Sequence, residues 1–320
     1  MDRRAFLVAA ASLPAVARFA PEALGGGNPI ALVTADTEAR VVAVELSSGR
    51  IYRSVRTLPG PRSAESVSGR VAVVAHTDIG AVSLVDGPTL TVRRILRGFG
   101  EPRYTAAHRD GRHAYVTDSA RGEVVAIDVV SGRALGRAEL GGPARHVSIS
   151  PRARVLWVSL GSTADTIAIV DIVDRRAPRL VHRITPPFLA HDVGFTPNGR
   201  HVWVSSGDRG ALAVYDARSG RELRRLPGDA PPQHVTFLAG NAYVTSGDDG
   251  TARVHSLRDG HVVHTTAVPV GSYNVQEAFG SIVTPSLTRG TLCVLDRRGR
   301  LRRTVDVAPS SHDACFLMTA

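Results

Sequence analysis

The chain has 320 residues, of which 43% are hydrophobic and 5% aromatic, so it is long enough for one large domain or two ordinary ones with a sizeable core. Its net charge is +10, yet all its basic residues are Arg, and they form no charge run and no interleaving with aromatics that would indicate nucleic-acid binding. The cysteines, Cys293 and Cys315, form no CxxC motif, which argues against a cysteine metal site and a disulfide framework.

Residues 1–17 have the parts of an export signal. Arg3-Arg4 precede Phe6 and Leu7 and an apolar run that ends in Ala-Val-Ala at 15–17. The Arg-Arg-x-Phe-Leu spacing resembles the twin-arginine signal, although Asp2 departs from the usual Ser or Thr. We therefore expect an exported protein, periplasmic or extracellular, with a signal peptide at 1–17, a linker at 18–29 and no membrane span beyond the signal.

The rest of the chain, 30–320, repeats one pattern. A short apolar run that mostly ends in Thr or Ser recurs seven times, with its last residue at 34, 75, 117, 159, 205, 245 and 284. The intervals of 41, 42, 42, 46, 40 and 39 residues are typical of propeller blades. Each unit divides into four strand candidates that are separated by Gly, Pro, Asp and Ser clusters, and none shows helical periodicity.

The two ends of the repeat region complement each other. The region begins with a second strand, "IALVTAD" from Ile30, and ends with an unpartnered first strand, "HDACFLMTA" from His312. If the last strand joins the first blade, the ring closes and leaves no open sheet edge. The sequence thus predicts an all-β, seven-bladed propeller with four-stranded blades, closed by the C-terminal strand, and we expect a monomer.

Several residues resemble the YVTN-repeat family, which is related to WD-repeat propellers. They are Tyr115-Val116-Thr117, Tyr243-Val244-Thr245, the aspartates Asp128 and Asp216, and "TPNGR" at 196–200. The resemblance covers the chain after the signal and implies the seven-bladed fold. It implies no single function, since propellers serve as binding modules, lactonases, lyases and redox enzymes.

Polar pairs stand where each first strand begins, which in such propellers is at one mouth of the central channel. They are Arg103-Tyr104, Arg145-His146, His191-Asp192, Gln233-His234, Tyr273-Asn274 and His312-Asp313, with a seventh near Pro61-Arg62 whose register the sequence leaves open. Because seven radial strands converge on one axis, we expect these side chains to gather as a ligand-binding site. Ordinary turn and inter-blade hydrogen bonds are the structural alternative.

Four of these residues, His146, His191, His234 and His312, could instead ligate a divalent transition metal. Neutral imidazole suits Zn or Cu, and Asp192 and Asp313 could orient the rings. Catalytic motifs such as Gly-x-Ser-x-Gly and His-Glu-x-x-His do not occur, so the catalytic residues stay unknown. Glu277, on a first strand, is the one acid that we nominate as a general base.

The sequence leaves three functions open. The first is an exported binding module that presents its polar, His-rich mouth to a protein, glycan or small molecule. The second is a metal carrier or metalloenzyme. The third is an enzyme of the propeller lactonase or lyase kind. The lack of catalytic motifs favours a binding module over an enzyme.

Overall fold

The computed structural model describes residues 27–228 and 230–320, and within them the protein is a ring of seven four-stranded antiparallel sheets. This confirms the predicted all-β propeller. The predicted signal and most of the predicted linker lie outside the described residues. Within the described ranges, no helix is long and apolar enough to cross a membrane.

The strands are, in chain order, β1 Pro29–Ala35, β2 Arg40–Glu45, β3 Ile51–Arg56, β4 Pro61–Val67, β5 Val71–His76, β6 Ala81–Asp86, β7 Thr91–Arg97, β8 Pro102–Ala107, β9 His113–Asp118, β10 Glu123–Asp128, β11 Arg133–Glu139, β12 Val147–Ile149, β13 Val155–Ser159, β14 Ile167–Asp171, β15 Arg179–Ile184, β16 Ala190–Phe195, β17 His201–Ser206, β18 Ala211–Asp216, β19 Glu222–Pro227, β20 Val235–Leu238, β21 Asn241–Ser246, β22 Thr251–Ser256, β23 Val262–Ala267, β24 Gln276–Ala278, β25 Ser281–Pro285, β26 Thr291–Leu295, β27 Leu301–Asp306 and β28 Ala314–Met318. One 3-10 turn, Thr77–Ile79, follows β5.

The ring closes as the sequence predicts. Blade 1 has the strand order β28-β1-β2-β3, and blades 2 to 7 each take four consecutive strands. β28 pairs antiparallel with β1, with Leu32 opposite Cys315 and Pro29 opposite Met318. The last strand therefore supplies the inner strand of the first blade and covers the edge that β1 would otherwise expose.

The core of the described chain is a ring of seven apolar clusters, each between two neighbouring blades. Alternate residues of a strand face opposite sides of its sheet, so each blade serves two clusters. In β1, for example, Ile30 and Leu32 pack toward blade 2, whereas Ala31 and Val33 pack toward blade 7. Middle strands are therefore apolar on both faces, and a register slip of one residue would exchange the two sets.

The Asp that recurs near the end of most third strands shapes the turn that follows. Asp128 accepts hydrogen bonds from the backbone N–H groups of Val130 and Ser131, and Asp216 does the same for Arg218 and Ser219. Gly132 then takes a φ of 65°, a left-handed conformation that glycine tolerates best. The recurring Asp-x-x-Ser-Gly-Arg pattern is thus turn chemistry that connects the third and fourth strands.

Cys293 and Cys315 are both buried and free, as expected from their positions in blades 7 and 1.

Candidate functional site

The seven inner strands bring their N-terminal ends to one mouth of the channel. Blade 2 contributes Arg62 and Ser63 at this position, which settles the register that the sequence left open. In ring order, the outer position of the mouth holds Arg62, Arg103, Arg145, His191, Gln233, Tyr273 and His312, and the next position holds Ser63, Tyr104, His146, Asp192, His234, Asn274 and Asp313.

The repeated Thr or Ser of the second strand fixes several of these residues in place. In blades 3 to 6 its hydroxyl reaches across the blade boundary and donates to the backbone carbonyl of the mouth residue in the next blade. Such bonds join Thr117 to Arg145 at 2.6 Å, Ser159 to His191 at 2.9 Å, Ser205 to Gln233 at 2.5 Å, and Thr245 to Tyr273. The motif that defines the repeat is therefore also the element that positions the mouth.

Three of the four predicted histidines meet at this mouth. One nitrogen of His146, one of His191 and one of His234 all lie within 4.8 Å of one another. The ring of His146 is 4.4 Å from that of His191 and 4.8 Å from that of His234, centroid to centroid. They come from blades 4, 5 and 6, which are adjacent in the ring. Tyr104, from blade 3, adds its ring at 4.3 Å from His146.

The hydrogen-bond partners of the three imidazole rings determine which ring nitrogen is left to bind a metal. His191 Nδ1 lies 2.8 Å from the Ser162 carbonyl oxygen and donates to it, so its Nε2 carries a lone pair. His234 Nδ1 lies 3.4 Å from a carboxylate oxygen of Asp192. His146 Nδ1 lies 3.5 Å from Ser159 Oγ, whereas its buried Nε2 has no hydrogen-bond partner. Imidazoles held at one nitrogen in this way are typical of metal ligands.

The environment keeps two of these imidazoles neutral. Burial lowers the pKa of His146 well below its usual value, and the neighbouring His191 and His234 lower it further. Burial and His234 likewise lower the pKa of His191 to about 4, against the hydrogen bond to Ser162. At neutral pH their lone pairs are therefore free of protons and can bind a metal ion.

His312 is not part of this cluster. Blade 7 separates its blade from that of His234, and its Nδ1 lies 3.2 Å from Asp36 Oδ2. Arg62 donates to the same carboxylate oxygen at 3.2 Å. Burial lowers the pKa of His312, while Asp36 raises it. The nitrogen of His312 that faces Asp36 is thus engaged in a separate network at the mouth.

The two predicted aspartates join neighbouring blades through the backbone. Asp192 accepts a hydrogen bond from the Val235 N–H at 3.1 Å, and Asp313 accepts one from the Ala64 N–H at 3.1 Å. Asn274 similarly donates to the His312 carbonyl at 2.8 Å. These three residues have the inter-blade bonds that the structural alternative describes.

Gln233 has a partner within its own blade, whereas Tyr273 reaches the neighbouring blade 6. The side-chain oxygen of Gln233 accepts from the Gly247 N–H at 2.6 Å, and the Tyr273 hydroxyl donates to Asp248 at 2.8 Å. Arg103 donates to Glu101 at 3.1 Å and faces Ser119 Oγ at 3.3 Å.

A cavity of about 270 Å³ runs below the cluster between the inner strands. Its wall includes Tyr104, His146 and His234 near the mouth and Phe195 and Phe237 among the apolar residues further along. Gln276 of β24 lines it, whereas Glu277 is not among its lining residues. The cavity therefore gives no support to the nomination of Glu277 as a general base, which stays a prediction.

Glu65 is an acid of this cavity that the sequence analysis missed. It lines the wall, and its Oε1 accepts from the Ser66 N–H at 2.9 Å. Burial and the nearby Asp313 raise the pKa of Glu65 to about 8, and burial raises that of Asp313 to about 6. The available signal was an acid on a first strand, at a position where the other blades hold uncharged residues.

The comparisons with known proteins agree with the fold. Dihydro-heme d1 dehydrogenase of Pseudomonas aeruginosa is 33% identical over 129 residues, which cover 38% of this chain and 26% of that protein. Protein NirF of Stutzerimonas stutzeri is 25% identical over 155 residues, covering 45% of this chain and 39% of that protein. The matches thus span well under half the length of these curated relatives, and no model of a known protein family matches the chain.

Two solved structures resemble the whole ring. Hydrazine synthase of Kuenenia stuttgartiensis superposes with a TM-score of 0.67 at 15% identity, covering 80% of this chain and 89% of that one. Dihydro-heme d1 dehydrogenase NirN in complex with DHE superposes with a TM-score of 0.61 at 17% identity, covering 88% of this chain and 64% of that one. At these identities the likeness supports the propeller fold alone.

Proposed function

We propose that this propeller binds a metal-containing tetrapyrrole of the heme d1 type at its mouth, with His191 as the ligand to the metal. The observation that carries the proposal is the convergence of three imidazoles, two of them kept neutral by burial. The dihydro-heme d1 dehydrogenase in the comparisons is named for such a tetrapyrrole, which supports this choice of ligand class. The metal in a heme accepts the lone pair of a neutral imidazole.

His191 is favoured over its neighbours by access and orientation. His146 is 1% exposed, so a planar ring system cannot reach its Nε2 unless the cluster opens. His191 is only partly buried, and its bond to the Ser162 carbonyl directs Nε2 away from the backbone. His234, with 12% of its side chain exposed, borders the same space. The ring of His146 then supports His191 by direct contact, and the ring of Tyr104 in turn packs on His146.

The test is a titration with ferric protoporphyrin IX as the probe, followed by its absorption spectrum. We expect a shift of the Soret band on binding, and a loss of that shift with at least tenfold weaker binding in His191→Ala. His261→Ala is the matched control, since that imidazole is 59% exposed and lies on the outer part of blade 6. An unshifted spectrum with wild-type protein, or equal binding by His191→Ala, contradicts the proposal.

A single transition-metal ion on the three histidines is the second candidate. The nitrogens within 4.8 Å of one another favour it, although they must approach further, since Zn–N bonds of about 2.0–2.1 Å place tetrahedral ligands roughly 3.4 Å apart. Metal analysis after dialysis against Zn or Cu tests it. One ion per chain that disappears in His146→Ala and His234→Ala, together with no binding of the porphyrin, would favour the bare ion.

We also infer that the protein acts outside the cytoplasm, because residues 1–17 have the parts of an export signal. N-terminal sequencing of protein recovered from the periplasmic fraction tests this inference, with a start near Arg18 expected if the signal is removed.

A further inference from the structure

Three consecutive blades place an arginine at the outer position of the mouth. These are Arg62, Arg103 and Arg145, in blades 2, 3 and 4, and blade 4 also carries His146 of the histidine cluster. They are close enough to affect one another: burial lowers the pKa of Arg145, and the charges of Arg103 and Arg62 lower it further, against the effect of Tyr104. Like charges that crowd together in this way favour an anion among them.

Two of the three arginines already have a carboxylate partner, and the third has none. Arg62 lies 3.2 Å from Asp36, and Arg103 lies 3.1 Å from Glu101. Within the described residues, the polar group that faces the Arg145 side chain is the hydroxyl of Tyr104. The buried Nε of Arg145 has no hydrogen-bond partner among these residues. A guanidinium has five N–H donors, so Arg145 retains unused donors at a partly desolvated position.

The position of Arg145 connects this charge to the proposed ligand site. It directly precedes His146, whose ring contacts those of His191 and His234. The Thr117 hydroxyl holds its backbone carbonyl at 2.6 Å, which fixes where the side chain starts. An anionic group on Arg145 would therefore lie beside the imidazoles, on the side of blades 2 and 3.

We propose that Arg145, with Arg103 and Arg62 beside it, binds a carboxylate substituent of the molecule that occupies the mouth. This inference rests on the proposed function and narrows it to a tetrapyrrole with acidic side chains, ligated at its centre by His191 and held at its edge by arginine. Arg suits this role because its planar fork matches a carboxylate with two parallel hydrogen bonds. The Arg103 and Arg62 charges add attraction at longer range.

The first experiment compares protoporphyrin IX iron with its dimethyl ester, on wild type, Arg145→Gln and Arg258→Gln. Arg258 is the control because 88% of its side chain is exposed. We expect wild type to bind the diacid roughly ten- to hundredfold more tightly than the ester, as for a charged hydrogen-bonded pair. Arg145→Gln should lose that preference while keeping the His191-dependent Soret shift, and Arg258→Gln should keep both.

A second experiment tests the anion site without a tetrapyrrole. Succinate, added at constant ionic strength, should raise the melting temperature of wild type and of Arg258→Gln but leave that of Arg145→Gln unchanged. Without added anion, Arg145→Gln should melt no lower than wild type, because it relieves charge crowding. A merely structural arginine would instead lower the melting temperature when replaced.

The outcomes separate this proposal from the one on which it rests. Equal binding of diacid and ester by wild type, with a Soret shift that depends on His191, overturns the arginine site and leaves the proposed function standing. Succinate stabilisation that requires Arg145, with no porphyrin binding, supports the arginine site as an anion site and overturns the proposed tetrapyrrole function. Absence of both the ester preference and the succinate effect overturns the arginine site outright.

Discussion

Replacing Glu65 by Gln should remove a pH-dependent loss of stability. Glu65 lies on the channel wall, where burial and Asp313 raise its pKa to about 8 from an unfolded value of 4.5. The folded protein thus keeps a proton that the unfolded chain has lost, and wild-type stability falls as pH rises between these values. The slope is at most about 1.4 kcal/mol per pH unit for one group.

The window from pH 7 to pH 8 isolates this carboxyl. Asp313 has a pKa of about 6 in the folded protein, so its effect on the free energy of unfolding hardly changes above pH 7. The buried histidines have folded pKa values below 6.5, and their effect runs the other way, because it adds stability as pH rises. That effect is the same in both proteins, so between pH 7 and 8 wild type should lose about 1 kcal/mol relative to Glu65→Gln.

Urea unfolding at pH 7.0, 7.5 and 8.0, followed by circular dichroism, measures this difference. Glu139→Gln is the control, since Glu139 is an exposed acid on the outer strand β11. Parallel pH profiles for wild type and Glu65→Gln would refute the reasoning, because they would mean that this carboxyl has the same pKa in both states.

Three further predictions concern closure, the repeat motif and export. Deleting residues 314–320 removes β28 and its pairing with β1, so the truncated chain should lose its cooperative thermal transition, whereas deleting Ala320 alone should not. Thr117→Val keeps the shape of the side chain but removes the hydroxyl that bonds to the Arg145 carbonyl; it should cost about 1–2 kcal/mol in urea unfolding, and an unchanged midpoint would show that this bond is dispensable. Replacing Arg3 and Arg4 together by Lys should retain the protein in the cytoplasm, which immunoblotting of cell fractions measures; continued export would point to an ordinary secretory signal.

The sequence by itself determined the architecture, because a propeller encodes its blades locally. The seven copies of the apolar motif, about 40 residues apart, predicted the number of blades. The mismatch between the first and last strands predicted the pairing of β28 with β1. It also placed one polar pair from most blades at the mouth. Each of these inferences needs only patterns within one repeat, where strands are joined by short turns.

The tertiary structure alone decided which of those pairs act together. His146, His191 and His234 converge because their blades are neighbours, whereas His312 faces Asp36 from two blades away. Likewise, the raised pKa of Glu65 depends on its burial and on Asp313, which is 248 positions further along the chain. The unused donors of Arg145 depend on how three blades meet. Distances between side chains across blade boundaries follow from packing and rotamer choice, and no repeat within the chain encodes them.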